Sequence, residues 1–105
     1  PYKPFEWDLP GGDLEFGEDP QIGILREIKE EAGLEVKNLQ PFSVRAHVNK
    51  VSQFWVTVCY KAEAVNENVA ISWEHDQFEW VTADEFLKRD ASDKQKKFIE
   101  DLKKL

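Results

Sequence analysis

Between Asp19 and Gly33 the chain carries both punctuation marks of a helix, and this segment constrains the fold more than any other. Asp19-Pro20 reads as an N-cap followed by proline at the first helical position, where the missing N–H costs nothing. Ile22, Leu25, Ile28 and Ala32 recur at helical spacing, and Gly33 supplies a left-handed stop. The spacing predicts a helix over 20–32. At 100° per residue Glu27, Glu30 and Glu31 fall within about a third of its circumference, opposite the Ile22/Leu25/Ile28 side. Carboxylates gathered that closely repel one another unless cations neutralise them.

The charge of the whole chain points to the same place. Its formal net charge is −7, with 14 basic and 21 acidic side chains. Residues 1–35 hold ten of the acids (Glu6, Asp8, Asp13, Glu15, Glu18, Asp19, Glu27, Glu30, Glu31 and Glu35) against Lys3, Arg26 and Lys29. The remaining residues balance, so this one segment carries the entire excess. A solvated acidic helix accounts for the count alone; a site for a hard divalent cation accounts for the clustering as well. An acidic chain argues against non-specific binding to nucleic acid or to anionic lipid.

At 105 residues, 41% hydrophobic and 12% aromatic, the chain has the size and composition of one domain spanning residues 1–105. The lone Cys59 leaves no internal disulfide and no cysteine-built zinc site, which makes a reducing, cytoplasmic setting the expectation. No apolar run approaches the roughly 20 residues of a membrane helix. The sequence contains no Met, so a trimmed or incomplete version of a longer product is expected.

Phe5-Glu6-Trp7-Asp8-Leu9 alternates apolar and polar residues as a half-buried strand does, and Pro10-Gly11-Gly12 ends it. Three further stretches, about 42–49, 53–63 and 68–73, have strand character, and Phe78-Glu79-Trp80-Val81 is a short fourth. Thr82-Ala83-Asp84-Glu85 is a capping box opening a short helix. Ser92-Asp93-Lys94-Gln95 is a second box, before a terminal helix with Phe98, Ile99, Leu102 and Leu105 on one face. The order β–α–β–β–β–β–α–α predicts an α+β fold, a mixed sheet with helices packed on it as an α/β/α sandwich.

From Gly12 to Leu34 the sequence reads GDLEFGEDPQIGILREIKEEAGL. This resembles the Nudix box, G-x5-E-x7-R-E-U-x-E-E-x-G-U with U a bulky aliphatic residue. Gly12, Glu18, Arg26, Glu27, Glu30, Glu31 and Gly33 occupy every fixed position, with Ile28 and Leu34 at the U positions. At average residue usage seven such identities coincide by chance roughly once in 10⁸ starts. The preceding Trp7-Asp8-Leu9-Pro10-Gly11-Gly12 is similar to the family's usual approach to the box.

The resemblance implies a Mg²⁺-dependent hydrolase (Mn²⁺ is an alternative ion) that cuts the pyrophosphate linkage of a nucleoside diphosphate derivative. By resemblance Glu27 is the general base and Arg26 orients it, through the bidentate pairing that guanidinium and carboxylate favour. Glu27, Glu30 and Glu31 are implied metal ligands, joined by the carbonyl of Gly11 and, from a distal loop, Glu74. Glu18 is implied to support the box. His75 is a weaker candidate for phosphate, Lys3 one for substrate, and Phe54, Trp55 or Trp73 for stacking a base. His47 reads as an ordinary polar residue on a strand.

Downstream markers of subfamilies are missing. Asn49 and Lys50 stand where ADP-ribose hydrolases carry a proline, and Lys50, Val51 and Ser52 where dinucleoside polyphosphate hydrolases carry a tyrosine. A MutT-like nucleoside triphosphate pyrophosphohydrolase is left by elimination. Dinucleoside polyphosphates, nucleotide sugars and ADP-ribose stay open as substrates, as does a nucleotide-sensing module that does not cleave. Relatives carry further strands before the Trp-x-Leu-Pro-Gly-Gly stretch, so the expected partner is either a longer N-terminus of the natural product or a homodimeric, strand-exchanged neighbour.

Overall fold

The computed structural model describes residues 7–66, 68–70 and 79–105. Its elements run α1 (Pro20–Ala32), β1 (Val36–Val48), β2 (Phe54–Ala64), α2 (Ala83–Leu87) and α3 (Asp93–Lys103), an α+β arrangement as the sequence predicts. Helix α1 has the bounds its punctuation dictates. Asp19 holds the extended N-cap conformation, although its side chain makes no capping bond, and Pro20 opens the first turn. Gly33 sits at φ 63°, and its N–H donates to the Lys29 carbonyl at 3.0 Å. That conformation burdens any residue with a Cβ, so glycine is required here.

Strands β1 and β2 pair antiparallel, with Val44 opposite Val58 and Val48 opposite Phe54. Strand β1 starts at Val36 rather than near residue 42. It tolerates Asn38 at φ 55° and Pro41 through register irregularities at Lys37/Gln40 and Pro41/Ser43, the places where a strand accepts residues that break its ladder. Asn49 closes the connecting turn: its Oδ1 accepts from the N–H groups of Val51 and Gln53, both at 3.0 Å.

Three stretches read as strands form no strand in their described residues. Trp7–Leu9 lies alongside the α2–α3 connection, where the Trp7 N–H donates to the Asp90 carbonyl at 2.8 Å and the Leu9 N–H to Gln95 Oε1 at 3.0 Å. Residues 68–70 end with the Ala70 N–H donating to the Ala32 carbonyl at 2.8 Å, which closes the C-terminus of α1. At 79–81 the chain is irregular, and Glu79 pairs with both Nη atoms of Arg89. In the first two cases the period-2 pattern is present, but the backbone donors of Trp7, Leu9 and Ala70 find a loop carbonyl, a side chain and a helix end instead of a strand. Residues 5–6, 71–73 and 78 of the same stretches lie outside the described residues.

The capping box of α2 forms as expected, Thr82 Oγ1 accepting from the Glu85 N–H and Glu85 Oε1 from the Thr82 N–H. Only half of the second box does. Ser92 accepts from the Gln95 N–H, but the Gln95 side chain turns to residues 8 and 9, donating to Asp8 Oδ1 at 2.7 Å. The buried apolar residues among those described are Phe86, Phe98 and Ile99, where α2 meets α3. Asp101 of α3 ties this core to the sheet, accepting from Ser43 Oγ at 2.6 Å and from Arg45 Nε and Nη2 at 3.0 and 2.9 Å. Those bonds hold its carboxyl below the usual range. Cys59, half-buried on β2, has its thiol pushed up by burial.

Candidate active site

The loop from Gly11 to Glu18 folds back along α1 and is fastened to it at three places, each dependent on a residue type the sequence supplies there. At its start the Gly11 N–H donates to Glu31 Oε2 at 2.8 Å. One residue on, Gly12 lies so close to the Glu27 carboxylate that a Cβ built on it would stand 2.5 Å from the carboxyl carbon. At the other end, Gly23 is buried under the loop: an added Cβ there would meet Leu14 Cδ2 at 2.5 Å and Glu18 Oε1 at 3.0 Å. Glycine inside a helix costs about 1 kcal/mol relative to alanine, a cost offset here by the approach of the loop.

Arg26 is the centre of the site. Its Nε and Nη2 grip the two oxygens of Glu18 at 2.8 and 2.9 Å, a bidentate pair. Its Nη1 donates to Glu27 Oε1 at 2.9 Å and to Glu30 Oε2 at 3.2 Å, and Nη2 also reaches the Asp13 carbonyl at 3.3 Å. One guanidinium thus spans the loop and two of the three helix carboxylates. The Glu18 carboxyl is held down to about 2, chiefly by the hydrogen bonds from Arg26, then by the backbone N–H of Glu15. Arg26 is correspondingly raised, first by Glu18. The side chains of Glu18 and Glu27 are mostly covered, 11% and 16% exposed, whereas Glu30 is 59% exposed.

Two features of this geometry add to the sequence reading. Arg26 pairs bidentately with Glu18 and makes one bond to Glu27, because Glu18 approaches edge-on from the loop while Glu27, its neighbour on the helix, reaches only one corner. Gly11 meets the helix through its N–H, on Glu31. Glu27, Glu30 and Arg26 are brought together, Glu31 lies against Gly11, and Gly33 ends the helix. Phe54 sits at the start of β2 opposite Val48 and is 70% exposed. Lys3, Glu74, His75 and Trp73 lie outside the described residues. The sequence reading missed two supports, Gly23 and the Asp8–Gln95–Leu9 tether. The helical glycine was the available signal for the first; a contact across 87 positions left none for the second.

The donors on this face are carboxylate and backbone oxygens, the set that hard divalent cations take. Among the described residues no three acidic, histidine or cysteine side chains converge enough to hold an ion. Glu27 and Glu30 are both drawn to Arg26, and Glu31 is drawn to Gly11. The donor chemistry fits a dication, with the exposed Glu30 the side chain best able to turn toward one. No helix among the described residues is long and apolar enough to cross a membrane.

Comparison with known proteins gives the family. Residues 1–102 match the family model described as NUDIX domain, a family whose hydrolases generally use divalent metal ions. A MutT-like protein of Streptomyces ambofaciens is 33% identical over 85 residues, 81% of this chain and 53% of the relative. Nudix hydrolase 26, chloroplastic, of Arabidopsis thaliana is 29% identical over 73 residues, 70% of this chain and 29% of the relative. An 8-oxo-dGTP diphosphatase of Proteus vulgaris is 42% identical over 41 residues, 39% of this chain and 37% of the relative. The chain therefore spans about half or less of the length of these relatives. With the box residues assembled around Arg26 and the family model covering nearly all of the sequence, the chain belongs to the Nudix family.

Proposed function

We propose that this domain is a Mg²⁺-dependent Nudix hydrolase that cleaves the pyrophosphate linkage of a nucleoside triphosphate, in a cytoplasmic setting. The observation that carries the reading is the position of Glu27: mostly covered, held through Oε1 by Arg26, and pressed against a glycine backbone. Covering and a fixed rotamer are what a general base requires, since proton transfer depends on placement before acidity. In this reading Glu27 Oε2 accepts a proton from water as the water oxygen bonds to phosphorus, and the bridging P–O bond breaks to release the second phosphate product. Arg26 keeps Glu27 aimed, and Glu18 keeps Arg26 in place. Glu27, Glu30 and Glu31, with Gly11 and the distal Glu74, would hold the metal, which when bound neutralises charge on the phosphate oxygens. Lys3 and Phe54 are the proposed substrate contacts.

Support for a triphosphate substrate comes from the missing subfamily markers and from the Proteus vulgaris relative, which is named for a diphosphatase acting on 8-oxo-dGTP. A homodimer or strand-exchanged neighbour belongs to the same reading. The test is a panel of nucleoside triphosphates, dinucleoside polyphosphates, nucleotide sugars and ADP-ribose incubated with Mg²⁺, with products resolved by chromatography. The reading expects triphosphates to yield monophosphate and pyrophosphate. Preference for another class would overturn the substrate, and binding without cleavage of any would overturn the activity.

A further inference from the structure

A second charged cluster, opposite in sign to that of the acidic helix, lies between α3 and β1. Where the start of α3 faces β1, a surface hollow of about 220 Å³ is lined by Arg45, Ala46, His47, Lys94 and Lys97. Four of these five side chains are basic or hydrogen-bond donors, in a protein whose formal charge is −7. Arg45 is fixed in place: Asp101 takes its Nε and Nη2 and leaves Nη1 unused by that pair. Among the described residues Lys94 and Lys97 have no acid partner, and both are exposed. They stand three apart on α3, so they project on the same side of the helix. The nearby acids are Asp101, already matched by Arg45 and Ser43, Glu100, which acts on Arg45 through charge alone, and Asp93, next to Lys94 in sequence.

Like charges gathered around a hollow raise one another's energy, and a bound anion relieves that cost. The imidazole of His47 can donate a hydrogen bond in either protonation state. A guanidinium already immobilised by Asp101 loses little further freedom on binding, which favours a small ligand held at short range. We infer that the hollow formed by Arg45, His47, Lys94 and Lys97 binds a phosphate group, either as free inorganic phosphate or as the phosphate of a small nucleotide. Its concave shape and the acidity of the rest of the chain favour a compact anion over an extended polyanion.

The inference does not depend on the reading of α1, and the test is run with chelator present so that the acidic face holds no metal. Inorganic phosphate and a nucleoside monophosphate are titrated separately into the isotope-labelled chain at constant ionic strength, with sodium chloride as the control. The expected result is saturable shifts of the amide signals of Ala46, His47, Lys94 and Lys97. The double variant K94Q/K97Q, its fold checked by circular dichroism, should raise the Kd about tenfold or more. Equal affinity for the two ligands identifies free phosphate as sufficient; tighter binding of the nucleotide identifies a nucleotide phosphate as the source. Shifts matched by chloride, shifts centred elsewhere, or an undiminished Kd in the double variant would overturn it.

Discussion

A single guanidinium decides how the box residues stand. Arg26 reaches Glu18, Glu27 and Glu30 at once, and it is Glu18, from outside the helix, that takes the bidentate share. This division has a consequence for pH. The Glu18 carboxyl is depressed from an ordinary 4.5 to about 2 in the folded chain. A depressed carboxyl contributes stability that is fully present above the unfolded value and is lost as pH falls through the folded one. Glu18→Gln lacks that contribution. The difference in Tm between the original chain and Glu18→Gln should therefore be constant above about pH 4.5 and close as pH falls toward about 2. Thermal melts across that range measure it; a gap that persists at pH 2 would mean that Glu18 acts by packing. Nothing in helical spacing announced this pair, because Glu18 precedes the N-cap and its distance to Arg26 is set by the loop. The three helix carboxylates were legible for the opposite reason: rigid 100° steps place them whatever the rest of the chain does.

The elements divide in the same way. Helix α1 was legible to the residue, since Pro20 and Gly33 each satisfy a local backbone requirement. The alternating stretches at 7–9, 68–70 and 79–81 were misread, because alternation describes a chain that is extended and half covered without naming the partner that would make it a strand. The backbone donors of Trp7 and Ala70 chose Asp90 and Ala32, far away in sequence. Two glycine substitutions test how α1 is terminated and covered. Gly33→Ala forces a Cβ into a left-handed residue and to 3.0 Å from the Ala70 Cβ, and should destabilise by about 1–2 kcal/mol in denaturant titration. Gly12→Ala leaves the backbone unstrained but drives a methyl into the Glu27 carboxylate. It should lower kcat about tenfold or more by displacing the base, with a change in stability below about 1 kcal/mol. Unchanged kcat in Gly12→Ala would show that Glu27 need not lie where it does.

At the scale of the whole molecule, burial is uneven. Phe86, Phe98 and Ile99 form the buried cluster among the described residues, while Val44, Val48, Phe54 and Val56 lie on one face of the β1–β2 pair at 56–70% exposure. Register explains the shared face: Val48 opposes Phe54 and Ala46 opposes Val56, whereas Ser43 and Arg45 turn to Asp101 on the other side. Phe98, 2% exposed, is the keystone of the cluster. Phe98→Ala should cost about 3–5 kcal/mol, a large fraction of what holds a domain of this size, and should be visible as loss of a cooperative thermal transition. Val56→Thr, on the exposed face, should stay within about 0.5 kcal/mol of the original chain. Equal effects of the two would mean that the sheet face is buried in solution.

The central claim is that Glu27, held by Arg26 against Gly12, takes a proton from the water that cleaves a pyrophosphate bond. Its most direct test is steady-state release of pyrophosphate from a nucleoside triphosphate across a Mg²⁺ titration, comparing the original chain with Glu27→Gln. The prediction is a kcat lower by about 10²–10⁴ in Glu27→Gln, the usual contribution of a positioned base, with the activity still saturating in Mg²⁺. Full turnover in Glu27→Gln would place the base elsewhere and contradict the account.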